Sequence, residues 1–298
     1  MTRSGGVVVI AIACTACSTP TKPGWMASQA DEVSLSALTL PGTHDTMALF
    51  EPLAGTAKAQ TLSLADQYDA GVRYVDIRCV DVDDVFQIYH GIEYEQATFD
   101  DVLDTTFQFL DDHPTETIVM SVKQEADNNG ATQSFETTFG DYVSKQALRW
   151  YTEDSIPTLG EVRGDIVLLR RFGAEQTPLG IDGSAWADNT TFTLNNADST
   201  LRVEDAYTVS DPDTKWSAIT ELFGEARAGD PATFYITYSS GYEMNGLLPD
   251  IPSVANAINP MLDAFFGDPA NARAHLGAVA MDLVTADRVR ALAAFNAR

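Results

Sequence analysis

The stretch Arg73-Tyr74-Val75-Asp76-Ile77-Arg78-Cys79-Val80 narrows what this chain can fold into more than any other. It is rich in β-branched and aromatic residues, which favours a strand. Strand side chains alternate between faces, so Val75, Ile77 and Cys79 point one way and Asp76 and Arg78 the other. The apolar side requires a cover of helices. The charged side requires a barrel lumen or the floor of a site. Cys79, on the apolar side, reads as a small buried hydrophobe and not as a nucleophile.

The same logic recurs along the chain. Leu35, Leu38 and Leu40 lead into the breaker Pro41-Gly42, read as the end of a strand, and His44-Asp45 follow at once. Val85–Gly91 is a strand ending on His90. Thr117–Lys123 sets Ile118, Met120 and Val122 on one face and Ser121 and Lys123 on the other. Asp165–Phe172 ends in Arg170-Arg171, and Val203–Val209 carries Asp205 and Tyr207 at strand spacing. Thr233–Tyr238 follows, then Leu276–Leu283 with Ala278, Ala280 and Asp282 on one face. Helices are expected near 62–70, 98–112, 131–148, 214–228, 254–267 and from 285 onward. Residues 173–200 read as a long polar loop, and His113 and His275 as surface residues.

Strands alternating with helices imply a parallel sheet covered by helices. A (β/α) barrel accommodates 298 residues as a single domain. His44, Asp45, Arg78, His90, Lys123, Arg171 and Asp282 all fall at strand C-termini, the end where such barrels build active sites. The expected fold is therefore α/β, a TIM-type barrel.

Acidic residues outnumber basic ones by 43 to 18, a formal net charge of −25. Nothing resembles the basic stripe a nucleic acid requires, and general attraction to an anionic membrane is disfavoured. At the N-terminus Arg3 precedes the apolar run Val7–Ala13, then Cys14 and Cys17. That is the pattern of a secretory signal, too short to span a bilayer. A cysteine after small residues also resembles a bacterial lipoprotein box, with Cys17 the preferred acyl acceptor. The expected organisation is a signal or lipobox segment (1–17), a polar linker (18–32) and a catalytic barrel (33–298). The product would be exported, either secreted or lipid-anchored. With Cys17 at the mature N-terminus, Cys79 is the only other cysteine, so no structural disulfide follows.

Two histidines with carboxylate partners and an arginine suit in-line attack on a phosphodiester. One imidazole takes a proton from the attacking oxygen and the other gives one to the leaving oxygen. An arginine holds the non-bridging oxygens as charge develops on them. The same residue types bind divalent metals, but Arg78 and Lys123 put positive charge where a metal would sit, which favours a metal-free site.

The segments Leu40-Pro41-Gly42-Thr43-His44-Asp45, Val75-Asp76-Ile77-Arg78 and Tyr89-His90-Gly91 resemble the catalytic X-region of bacterial phosphatidylinositol-specific phospholipases C. The likeness continues through Thr117–Lys123, Gly164–Phe172 and Val203–Tyr207, and so covers nearly everything from about residue 33 onward. It implies a distorted, incompletely closed barrel that cleaves phosphatidylinositol to diacylglycerol and inositol 1,2-cyclic phosphate, with slower opening of the cyclic product. By position, His44 would be the general base, oriented by Asp282. His90 would be the general acid, assisted by Asp45, and Arg78 would clamp the phosphate where metal-dependent relatives hold calcium. Lys123, Arg171 and Asp205 would hydrogen-bond inositol hydroxyls, with Tyr207 packed on the ring. The implied partners are phosphatidylinositol or a glycosyl-phosphatidylinositol lipid, met by a monomer in transient contact with a membrane surface; Phe50, Leu53 and Tyr242 are candidates for that contact. No cofactor is expected. The alternatives are a calcium-dependent phosphodiesterase on the same barrel and a non-catalytic barrel that binds inositol lipids or glycans.

Overall fold

A computed structural model of the chain describes Met1 and residues 24–297, so Cys14, Cys17 and the export-signal pattern lie outside the described residues. β1 (Leu40–Thr43) lies at the centre of the sheet and runs straight through Pro41-Gly42. Pro41 has no N–H to give, but its carbonyl still accepts the Arg73 N–H at 2.8 Å. A side chain at Gly42 would meet the Tyr74 Cβ at 3.0 Å and the Val279 carbonyl at 3.1 Å. These two residues therefore mark a close approach of strands and not a strand end.

Ser63 caps α1 (Leu64–Ala70) by accepting the Asp66 N–H. β2 (Tyr74–Val82), β3 (Val85–His90) and β4 (Glu93–Thr98) form an antiparallel meander, with Cys79 opposite Ile88 and His90 opposite Glu93. The sequence pattern does not foretell β4, because its residues are largely polar and only Glu95 is buried. α2 (Phe99–Asp112) starts at a reciprocal capping box between Thr98 and Asp101 and buries Phe99, Val102, Leu103, Phe107 and Leu110. β5 (Ile118–Gln124) leads to α3 (Phe135–Lys145), which begins later than periodicity suggests because Ser134 caps it.

β6 (Trp150–Tyr151), the short α4 (Leu159–Val162) and β7 (Ile166–Arg171) follow, then β8 (Ile181–Asp182), β9 (Thr190–Asn195) and β10 (Thr200–Asp205). Residues 173–200 are thus not all loop: Phe192 and Leu194 alternate with threonines and pack inward. α5 (Pro212–Ala228) and β11 (Thr233–Tyr238) precede a hairpin of β12 (Glu243–Asn245) and β13 (Leu248–Asp250). α6 (Ile251–Gly267), β14 (Ala278–Met281) and α7 (Ala286–Ala293) complete the chain.

The sheet runs β6-β7-β5-β2-β1-β14-β11-β10-β9, with β8 also on β7. It is parallel except for β9 and the β3–β4 meander. The path stops at β9 on one side and at β6 and β8 on the other, so the barrel is open along one seam. Val75, Ile77, Met120 and Val122 face outward against the helices. Leu40, Tyr74, Val119, Val167, Val203, Ile236 and Ala278 fill the lumen floor, plugged from below by Leu35 and Leu38. Each fully buried aliphatic side chain here contributes about 1.5–3 kcal/mol. Along β2, Tyr74 belongs to this floor, Asp76 sits above it fully buried, and Arg78 stands above that.

Below the barrel, Met26 is fully buried and the Trp25 indole N–H donates to the Gly71 carbonyl at 3.0 Å, so residues 24–32 pack against this end. His113 is not at the surface: it is buried with its ring stacked 4.4 Å from Phe109. His275 is half-buried, its Nδ1 2.9 Å from the Ala226 carbonyl.

Candidate active site

The turn leaving β1 sets the site. The His44 N–H donates to the Met281 carbonyl at 3.1 Å, and the Thr46 N–H to the Asp76 carbonyl at 3.0 Å. Between them Asp45 takes φ 43°, the left-handed region that aspartate tolerates better than most residues. The two consecutive side chains thereby diverge, one to each histidine pair.

His44 Nδ1 lies 2.8 Å from Asp282 Oδ1, and its Nε2 lies 2.8 Å from Arg78 Nη2. A guanidinium only donates, so Nε2 accepts and the proton of neutral His44 sits on Nδ1, facing Asp282. Burial by itself lowers the His44 pKa, but the Asp282 carboxylate and its hydrogen bond outweigh burial and the Arg78 charge, and the net shift is upward. Asp282 is held in turn by the Gly241 N–H at 3.2 Å.

His90 Nδ1 lies 2.6 Å from the Ala57 carbonyl, which only accepts, so this nitrogen also carries a proton. Its Nε2 lies 3.3 Å from Asp45 Oδ2. The two imidazole centroids are 6.3 Å apart. Both rings present Nε2 toward the same guanidinium–carboxylate cluster, one already an acceptor and the other beside a carboxylate.

Arg78 sits between them. Its nitrogens lie 3.0 Å from Asp45, 3.1 Å from Asp76 and 3.5 Å from Glu125. Burial opposes its charge, but these carboxylates overcome that and raise its pKa well above the usual arginine value. Burial likewise pushes the Asp76 and Glu125 carboxyls up. Arg78 with Arg171 reverses this for Asp76, and Arg78 with Lys123 holds Glu125 down at about 2. At Asp45 burial wins over Arg78 and His90, and its pKa is raised.

On the other side of the cavity, Lys123 Nζ is 2.6 Å from Glu125, and burial followed by the Arg78 charge lowers its pKa. Arg171 Nη1 is 3.4 Å from Asp76 and donates to the Tyr238 hydroxyl at 3.2 Å. Its Nη2 is 3.9 Å from Asp205, and its guanidinium lies 3.9 Å from the Trp186 ring centroid. The Trp186 indole N–H donates to Asp205 at 2.8 Å, and the Tyr207 hydroxyl donates to Asp188 at 2.6 Å. Tyr207 lies just past the end of β10, not within the strand.

The cavity has a volume of about 550 Å³ and is lined by His44, Arg78, His90, Lys123, Arg171, Asp205 and Tyr207, with Asp45 and Asp282 behind the histidines. Every site residue nominated from sequence is therefore gathered at this end of the barrel. Asp76, which strand alternation already places on the charged face, forms the floor beneath Arg78, and Glu125, Trp186, Asp188 and Tyr238 join the site without being expected from the sequence. Glu125 could have been found, since it follows Lys123 at strand spacing. Trp186 and Asp188 carry no periodic signal. Among the described residues, no group of three or more His, Cys, Asp or Glu is arranged to hold a metal ion. Chemically, the arrangement pairs a proton acceptor and a proton donor around a fixed cation, with a polar and aromatic recess beside them.

Comparison with known proteins places this geometry. A family model described as phosphatidylinositol-specific phospholipase C, X domain, matches residues 39–172. The chain is 30% identical over 274 residues to a 1-phosphatidylinositol phosphodiesterase of Staphylococcus aureus, covering 87% of each chain. It is 41% identical over 157 residues to the Listeria monocytogenes protein of the same name, covering 49% of this chain and 47% of that one. The Staphylococcus aureus phosphatidylinositol-specific phospholipase C structure matches with a TM-score of 0.83 at 29% identity, covering 92% of this chain and 97% of that one. The Listeria monocytogenes enzyme structure matches at 0.77 and 27% identity, covering 92% and 98%. With this sequence identity over most of both lengths, and the same open barrel, the chain belongs to the bacterial phosphatidylinositol-specific phospholipase C family.

Proposed function

We propose that the chain cleaves phosphatidylinositol, free or glycosylated, to diacylglycerol and inositol 1,2-cyclic phosphate without a metal ion. Membership of the family makes it a phosphodiester-cleaving enzyme; the assignment of steps to residues is our reading. His44 Nε2 takes the proton of the inositol 2-hydroxyl, and that oxygen attacks phosphorus. The P–O bond to diacylglycerol breaks as His90 Nε2–H gives its proton to the departing oxygen. Arg78 moves from His44 onto the non-bridging oxygens and offsets their growing charge. Asp282 fixes the His44 tautomer, and Asp45 lies beside His90 Nε2 and orients that ring. In the slower second step His90 takes a proton from water and His44 returns one to the 2-oxygen. Lys123, Arg171 and Asp205 hydrogen-bond inositol hydroxyls and Tyr207 packs on the ring.

The observation that carries this reading is the place of Arg78, in contact with His44 Nε2 and with Asp45 of the other pair. It also weighs against the calcium alternative: Asp45, Asp76 and Glu125, the carboxylates a cation would need, are each already in contact with the guanidinium.

The lipid surface is met by apolar contact. Leu53 and Leu247 are 53% and 94% exposed, with Phe50, Met244 and Leu248 also exposed and Met244 lining the cavity mouth. The acidic chain gains nothing from anionic headgroups. Arg3, the apolar run Val7–Ala13 and Cys17 support export of the barrel, with lipidation at Cys17 as the finer possibility to test by mass of the mature N-terminus.

Phosphorus NMR on phosphatidylinositol micelles in excess EDTA tests the mechanism. A cyclic inositol phosphate signal is expected, abolished in His44→Ala and in His90→Ala. A signal that requires added calcium overturns the metal-free reading, and undiminished turnover in either variant overturns the two-histidine reading.

A further inference from the structure

The loop 49–58 leaves the β1 turn and closes on itself: the Ala48 carbonyl accepts the N–H groups of both Ala59 and Gln60 at 3.0 Å. Within it, Glu51 Oε1 accepts the N–H groups of Thr56 and Ala57, each at 3.3 Å. The loop exposes Phe50 and Leu53 to solvent, and its Thr56 lines the cavity. Its Gly55 carbonyl accepts the Ile251 N–H at 3.0 Å, where α6 begins, and its Ala57 carbonyl accepts His90 Nδ1–H at 2.6 Å. A single loop thus touches both the apolar rim and one of the two imidazoles.

The entry of this loop is held by a side chain from a different strand. Glu95 of β4 is only 6% exposed, and its Oε2 accepts the N–H groups of Leu49 at 2.9 Å and Phe50 at 2.7 Å. Its Oε1 is buried and hydrogen-bonded to no described residue. The carboxylate is within electrostatic reach of Asp45 on the β1 turn and His90 at the end of β3. Asp45 in turn faces Arg78 of β2. Neither the proposed proton transfers nor the inositol contacts use this buried acid.

We infer that Glu95 is a positioning residue for the acid step: it fixes loop 49–58 and, through the Ala57 carbonyl, holds the His90 imidazole toward the leaving oxygen. This rests on the reading of His90 as the general acid. Burial pushes the Glu95 carboxyl up to about 7, with Asp45 adding to it and the Phe50 and Leu49 N–H groups and His90 opposing. Above that pH the loop hydrogen bonds are made to a charged acceptor and are stronger; below it the acceptor is neutral.

The test is the pH dependence of kcat and KM on a short-chain phosphatidylinositol below its micellar concentration, with thermal melting alongside, for the parent, Glu95→Gln and Glu95→Ala. Glu95→Ala is expected to lower kcat by about 10-fold or more with KM unchanged, as misplacement of a reacting group does. Glu95→Gln keeps an oxygen acceptor without charge. It is expected to restore most of kcat at low pH and to lack the rise in kcat through about pH 7 that is expected of the parent. Superimposable profiles for Glu95→Gln and the parent overturn the inference, as does a loss in Glu95→Ala no larger than its loss of folded protein. If Glu95→Ala does not fold, the Gln profile decides alone. Undiminished turnover by His90→Ala overturns the acid assignment and the inference with it; a normal His90→Ala loss beside an unaffected Glu95→Gln profile overturns the inference only.

Discussion

Arg78 Nη2 lies 2.8 Å from His44 Nε2, the atom assigned above as acceptor of the substrate proton. A guanidinium only donates, so Nε2 is the acceptor in this contact, and in the proposed mechanism Arg78 leaves it for the phosphate oxygens. Arg78→Lys retains the charge but loses the planar fork that reaches His44 and Asp45 together. Loss of one such donor costs about 100-fold or more in kcat. Steady-state kinetics on a soluble substrate measure this, and near-parent turnover would show that the fork is not used.

The Asp282 carboxylate is what raises His44 against burial. In Asp282→Asn the base therefore ionises at lower pH, and the ascending limb of the kcat profile moves to lower pH. The amide also permits the wrong tautomer, so the plateau falls by as much as about 10⁴-fold. A pH–rate series reads both effects. An unmoved limb would mean that this pair does not set the base.

Stability should peak on the acid side of neutrality. Glu95, held at about 7, stays protonated in the fold where the unfolded chain releases its proton, so stability rises as pH falls from about 7 toward 4.5. Glu125, held at about 2, acts oppositely below that range, and depressed Asp76 acts with it: their contribution is complete above ordinary carboxylate values and is lost as pH falls toward 2. Thermal melting from pH 8 to pH 2 should show a maximum near about 5. A monotonic fall from pH 8 downward contradicts it.

Lys215 of α5 and Glu204 of β10 form an ion pair 2% and 0% exposed, and Lys215 Nζ also donates to the Ala206 and Tyr238 carbonyls. It ties the ends of β10 and β11 beneath Asp205 and Tyr207. Lys215→Met leaves an unpaired buried carboxylate and should destabilise the fold by about 3–5 kcal/mol. Adding Glu204→Leu should recover part of that loss. Urea titrations of both variants measure it, and equal losses in the two would refute an orphan-charge origin.

Leu247→Asp, at the tip of the β12–β13 hairpin, should weaken binding to phosphatidylcholine vesicles and leave turnover of a soluble substrate unchanged. If the proposed apolar contact holds, raising salt does not weaken parent binding. Binding that collapses with salt would point to a charged contact.

Much of this molecule is legible in its sequence, for a definite reason. The two-residue period of β2 separates Val75 and Ile77 from Asp76 and Arg78 without knowledge of any partner, and the same period brings Lys123 and Arg171 to neighbouring strand ends. What stays hidden depends on contacts distant in sequence. Pro41-Gly42 reads as a stop until Tyr74 and Val279 are seen pressing on it. β4 lacks apolar alternation because only Glu95 turns inward. Trp186 earns its place by lying under Arg171, fifteen residues before it in the chain, and no local pattern announces that. His113 is the exception: its ring is covered by Phe109 only four residues earlier, a local contact that helix spacing could have shown.

The open seam divides labour in the barrel. Both imidazoles and Arg78 hang from the continuous ladder β2-β1-β14 and its attached meander, whereas Trp186 and Asp188 stand on the segment between β8 and β9, at the free borders of the sheet. Insertions or exchanges there break no rung of the ladder that aligns the proton-transfer groups. Changes in that border segment can therefore reshape the cavity wall around Arg171 and Tyr207 without moving the strands that carry His44, Arg78 and His90.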